Sequence, residues 1–177
     1  IVRWDDASAA ISVFRAPSDN ANGHSRDRQG RLVSCEHLTR RITCTEYDGR
    51  ITVLADAFDG KRLNSPNDIV CAMDGAIWFT DPSFGINGQW EGEPALQELP
   101  HAVYRLPPDG PLQRVIDDLK GPNGLAFSPD ESELYVVESR GEPHRKLWAY
   151  RVSSGGALGN KRLVIDAADG GALDGIA

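Results

Sequence analysis

Several things are missing from this 177-residue sequence, and each absence removes a class of protein. No apolar run reaches the roughly 18–20 residues a membrane-crossing helix needs, so no membrane partner is expected. Lysine and arginine form no cluster and the formal net charge is −7. A nucleic-acid partner, which calls for a basic face, is therefore not expected either. Cysteine is scarce: Cys35, Cys44 and Cys71 make no close C-x-x-C pair and are odd in number. That argues against a disulfide framework or a zinc knuckle, and the three are read as small packed hydrophobes. No G-x-S-x-G elbow supports a serine hydrolase, and no glycine run matches a phosphate-cradling loop. His24, His37, His101 and His144 lack metal-ligand spacing. A sustained helical period is absent throughout.

What is present reads as short strands. Eighteen glycines and eleven prolines supply turns, while 40% hydrophobic and 25% charged residues suit a globular chain. Residues 1–4 and 11–14 flank a turn and predict a hairpin. Strands are then expected over 31–37, 41–47 and 50–54; over 67–72, 76–81, 102–106 and 112–116; and over 123–127, 133–138, 146–152 and 162–165. Four strands joined by tight turns make one antiparallel blade. The expected fold is all-β, a β-propeller with about three full blades plus two partial ones, in a single domain over 1–177. Ile1 opens inside a strand-like run with no methionine before it, so the sequence reads as an internal piece of a longer, six-bladed chain. A missing leader then says nothing about compartment. The cytoplasm is the expected location, with the periplasm as the alternative.

A short polar head recurs at intervals of about 50 residues, the period of a propeller blade. The heads are Asn22-Gly23, Asn67-Asp68, Asn123-Gly124 and Asp174-Gly175. Each is expected to open the innermost strand of its blade, so that all four converge on one axis. Amide and carboxylate oxygens gathered there make a site for a hard cation. The second strand of a blade returns to the same face, which brings Glu36-His37, Asp81 and Glu138 to the mouth. The long loop 82–100 leaves from that face as well, and loops on a rigid scaffold commonly carry function. Asn before Gly is also ordinary turn chemistry, and that reading stays open for Asn22.

Four stretches carry a resemblance that covers nearly the whole chain. They are Asn22-Gly23-His24-Ser25-Arg26-Asp27 with Gly30-Arg31-Leu32, Arg62-Leu63-Asn64-Ser65-Pro66-Asn67-Asp68, Trp78-Phe79-Thr80-Asp81-Pro82, and Gly121-Pro122-Asn123-Gly124-Leu125-Ala126-Phe127-Ser128. Together they resemble the gluconolactonase-like group of the senescence-marker-protein/gluconolactonase/luciferin-regenerating family. The resemblance implies a six-bladed propeller that holds one divalent cation in its central channel and hydrolyses sugar lactones. By position it implies Asn123 and Asp174 as direct metal ligands, Asn67 as a ligand of metal or substrate, and Asp68 as a substrate contact. The family also uses a glutamate of the first blade, which no residue here matches.

Oxygen donors favour Ca²⁺, with Mg²⁺, Mn²⁺ or Zn²⁺ as alternatives. A cation there polarises the lactone carbonyl while Asp174 serves as general base toward water. Asn64, Asp68 and Asp81 are expected to hold sugar hydroxyls, with His37 and His101 as further substrate contacts. The rival readings are a non-catalytic propeller that binds a carbohydrate or peptide at the same mouth, and a related enzyme for bulkier esters or lactones. Phe84, Trp90 and Leu96 in the long loop would set that last choice.

Overall fold

The computed structural model describes residues 1–176. It opens with a hairpin, β1 (Val2–Asp5) against β2 (Ala10–Val13). The first blade follows as β3 (Ala21–Arg26), β4 (Leu32–Glu36), β5 (Arg41–Thr45) and β6 (Ile51–Ala55). A two-stranded ribbon comes next, β7 (Ala57–Phe58) with β8 (Lys61–Arg62). The second blade is β9 (Ile69–Cys71), β10 (Ile77–Asp81), β11 (Ala102–Leu106) and β12 (Gln113–Ile116). The third is β13 (Pro122–Phe127), β14 (Glu133–Glu138), β15 (Lys146–Val152) and β16 (Leu158–Asp166). Within each blade the strands pair antiparallel in sequence order. The expected all-β propeller architecture is what forms, and the only helical segments among the described residues are single turns at Phe84–Ile86 and Ser154–Gly156. Among the described residues no helix is long and apolar enough to cross a membrane.

Aspartates set the turns. The Oδ1 of Asp27 accepts from the amides of Gln29 (3.0 Å) and Arg31 (2.8 Å), that of Asp48 from Arg50 (3.0 Å) and that of Asp74 from Ala76 (2.8 Å). Such side-chain-to-backbone bonds fold the chain back without help from the core.

The core lies between blades, in two layers. Val33, Cys35, Ile42 and Cys44 of the first blade meet Ile69, Phe79, Ala102 and Tyr104 of the second. Trp78, Val103 and Ile116 of the second blade meet Leu125, Leu134, Val136 and Tyr150 of the third. Alternation along a strand explains the division, because neighbours such as Trp78 and Phe79 point to opposite faces. The second blade is therefore apolar on both faces. Phe79 stacks on Tyr104 with ring centroids 5.4 Å apart, and Trp78 meets Phe127 edge-on at 5.6 Å. Trp148 packs at the margin of its layer, and Tyr135 donates its hydroxyl proton to Glu133 at 2.7 Å. All three cysteines are free, and burial pushes the Cys71 thiol up to about 11.

Some boundaries differ from expectation. The strand expected over 67–72 is regular only at Ile69–Cys71, and that expected over 162–165 spans Leu158–Asp166. The fourth unit expected from residue 174 forms no regular strand through residue 176, and Ala177 lies outside the described residues.

Candidate functional site

The pairing places the heads where the second strands end. Ala21 stands opposite Glu36 and Pro122 opposite Glu138, while the amide of Asn67 donates to the carbonyl of Thr80 at 2.9 Å. Successive heads also touch. The amide of Gly23 donates to the carbonyl of Asn67 at 2.7 Å, and that of Gly124 to the carbonyl of Asp174 at 3.1 Å. A Cβ on Gly23 would lie 2.5 Å from the Asn67 oxygen, and one on Gly124 2.6 Å from the Asp174 oxygen. Glycine follows these heads because the next blade's backbone fills the space a side chain would need.

The second head has Asp68 in the glycine's place. Its amide donates to Thr80 Oγ1 (3.0 Å), its Oδ1 accepts from the Ile69 amide (2.9 Å) and its Oδ2 accepts from the Leu125 amide (3.0 Å). The carboxylate thus ties the second blade to the third, two residues after Asn123. Burial raises the Asp68 pKa, the two amides oppose that, and the charge of Asp174 raises it further. Asn67 and Asn123 are buried and Asp174 is exposed.

His37 stands between the first two heads, almost wholly buried. Its Nε2 lies 3.3 Å from Asn22 Nδ2 and 3.4 Å from Asn67 Nδ2, and its Nδ1 lies 3.5 Å from Glu91 Oε2. Burial depresses its pKa, only partly offset by Glu91, so the ring is held neutral.

Three of the expected substrate contacts, Asp81, Asn64 and His101, make hydrogen bonds inside the fold, while Asn64 Oδ1 has no partner. Asp81 is 0% exposed; its carboxylate accepts from the amides of Asn64 (2.8 Å) and Ser65 (2.9 Å). Burial pushes it up to about 7 against the pull of those two amides. Asn64, equally buried, spends its Nδ2 on the carbonyls of Asp81 and Pro100, both at 3.2 Å. Both side chains are fully buried in this chain. The ring of His101 is likewise occupied: Nδ1 accepts from the Gly121 amide (3.1 Å), which leaves Nε2 to donate to Ser83 Oγ (2.9 Å). It pins the long loop to the linker that leads into Asn123.

Two of the acids at the second-strand ends share a job that the sequence reading missed, and the third reaches its linker through arginines. Asp81 accepts from Asn64, three residues before the Asn67 head, and Glu138 accepts from the Lys120 amide (2.8 Å), three residues before Asn123. Glu36 is bound by Arg15, Arg41, Thr39 and Thr43, and Arg15 and Arg41 also reach Asp19, three residues before Asn22. The detectable signal was an acid at one equivalent place in three repeats.

Among the described residues no three His, Cys, Asp or Glu side chains gather as a metal site. The expected set contains only one of those types, Asp174, beside the amides of Asn67 and Asn123. Asn67 has its Nδ2 toward His37 Nε2, which leaves its Oδ1 out of that contact. Two amide oxygens and an exposed carboxylate are donors that suit a hard divalent cation. The residues fit the group.

Residues 1–177 match the family model described as SMP-30/Gluconolactonase/LRE-like region. A gluconolactonase of Zymomonas mobilis subsp. mobilis is 34% identical over 180 residues, which cover 93% of this chain and 49% of that protein. A solved gluconolactonase from Xanthomonas campestris has a TM-score of 0.89 at 46% identity, covering 98% of this chain and 57% of its own. Regucalcin from Agrobacterium tumefaciens, described as a calcium-binding protein, has a TM-score of 0.70 at 18% identity, covering 96% of this chain and 53% of its own. At that identity it shares the fold alone. The chain spans about half the length of these relatives.

Proposed function

The chain belongs to the SMP-30/gluconolactonase/LRE-like family, and from that premise we propose that the whole protein hydrolyses a sugar lactone at the cluster of heads. The reading takes the three blades as part of a six-bladed ring. Asn67, Asn123 and Asp174 hold one divalent cation, Ca²⁺ in the first place. The observation that carries it is the bond from Gly124 N to Asp174 O, which sets a carboxylate-bearing head beside an amide-bearing one.

Bound there, the cation supplies Lewis-acid polarisation of the lactone carbonyl. The residues supply the rest. Asp174 takes a proton from the water that adds to the carbonyl carbon. The ring C–O bond then breaks and the departing oxygen is protonated, which gives the open-chain hydroxy acid. Asp68 keeps acceptor capacity beyond its two amide bonds, and with Asn67 it orients the sugar hydroxyls. Asn64, Asp81 and His101 act from behind by fixing the linkers that carry the heads.

The test is turnover of a panel of sugar lactones by the full-length protein, followed with a pH indicator, with and without chelator. Replacing Asp174 by Asn is expected to lower kcat by about 10²–10⁴-fold. Near-parental turnover by that variant would remove Asp174 as the base. A parent protein that turns over none of the panel yet binds the sugars would favour the non-catalytic reading.

A further inference from the structure

We propose that His37 is a positioning residue whose Nε2 decides which end of the Asn67 amide faces the cation and the lactone. The inference rests on the cation reading above and assigns a residue that touches neither partner directly. Two side-chain amides converge on Nε2, from Asn22 at 3.3 Å and from Asn67 at 3.4 Å, and each presents its NH₂ group. Two donors aimed at one ring nitrogen require that nitrogen to accept. The ring proton therefore sits on Nδ1, on the side where Glu91 Oε2 lies at 3.5 Å.

An amide has one oxygen end and one nitrogen end. With its nitrogen held by His37, Asn67 must present Oδ1 on the opposite side, and only that end can ligate a cation. The other tautomer would draw Oδ1 back to the ring and turn the NH₂ outward, which leaves a donor where a ligand is needed. The ring is also kept from turning: a Cβ on Gly85 would lie 2.7 Å from His37 Cβ and 2.8 Å from its Cγ, so the loop backbone packs directly against it. Partners of this kind behind a metal ligand typically contribute about 10–100-fold in affinity.

The experiment uses the full-length protein and two variants, His37→Leu, which removes the acceptor, and His37→Gln, which keeps one. Ca²⁺ affinity is measured by calorimetry, and the ¹⁵N shifts of the His37 ring are read in the metal-free parent. The expected result is affinity about 10–100-fold weaker in the Leu variant, most of it recovered in the Gln variant. A purely structural role would not separate the two in this way. The ring shifts should report a proton on Nδ1 and a bare Nε2, a readout that does not depend on either variant folding. A protonated Nε2 in the neutral ring, or parental affinity in the Leu variant, overturns the proposal. If Asp174→Asn abolishes Ca²⁺ binding while His37→Leu leaves it intact, only this inference falls. A parent that binds no Ca²⁺ removes the cation reading, and this inference with it.

Discussion

Between the first and second blades the contact at the heads is backbone to backbone, Gly23 N to Asn67 O at 2.7 Å. Between the second and third it is made by a side chain, Asp68 Oδ2 accepting from Leu125 N at 3.0 Å. The junctions occupy equivalent places in equivalent sheets, and one residue separates them. A glycine lets two inner strands approach closely but adds no chemistry. An aspartate replaces that approach with a reach, and the reach leaves a carboxylate among the heads. Asn22 and Asn67 differ in a parallel way: both touch His37, yet Asn22 is exposed and Asn67 is buried.

The contrast can be broken most forcefully through activity. In the full-length protein Asn67→Ala should lower kcat/KM by about 10²-fold or more, the scale for losing a polar group at a developing charge. Asn22→Ala, which removes one of the two donors to His37, should lower it less, and equal losses would erase the distinction between these heads.

Stability comes next. Gly23→Ala forces a Cβ into the backbone of Asn67 and Asp68, and should cost about 3 kcal/mol, at the upper end for overpacking. Urea titration measures it, and a neutral result would mean the junction is looser than a 2.5 Å approach implies. Asp68→Gly converts the second head to the form of the others and strands the Leu125 amide, at a cost of about 1 kcal/mol. Asp68→Asn keeps an acceptor and should lose less. If the two variants are equally stable, the side-chain bond does not hold the second junction.

The smallest expected effect is a pH slope at that junction, from His101. Its pKa is depressed, mainly by burial and then by Arg140, so the folded state favours the neutral ring that joins Ser83 to Gly121. A base with a lowered folded pKa contributes stability that is present above its unfolded value of about 6.5 and is lost as pH falls through the folded value. Parent stability should therefore decline below that pH by more than that of His101→Gln. Identical profiles would detach His101 from the junction.

The hairpins were legible because alternation along a strand and Asp-Gly turns such as Asp48-Gly49 and Asp74-Gly75 are local properties. Trp78 and Phe79 point to opposite faces by the same alternation, but which neighbouring blade each faces is not a local property. The β7–β8 ribbon escaped notice, since two residues per strand carry no period. The heads stood out as a repeat, but two meanings were folded into it. The glycine answers to the backbone of the next blade, and the asparagine to the cluster. Asp81 stood out because it ends a strand on the face of the heads; its bonds to the amides of Asn64 and Ser65, 17 and 16 residues away, were not legible in the sequence.

Strand pattern, turn chemistry and the spacing of the heads are short-range or periodic features, so the order of residues was enough to establish an all-β repeat and its polar ends. Which polar ends stay free for a ligand was decided only by folding. A carboxylate carries no mark in the chain of whether its lone pairs will meet water or a backbone amide arriving from another segment. Glu36, Asp81 and Glu138 were claimed by amides, arginines and hydroxyls of other segments. Competition for hydrogen-bond partners across distant segments made that choice.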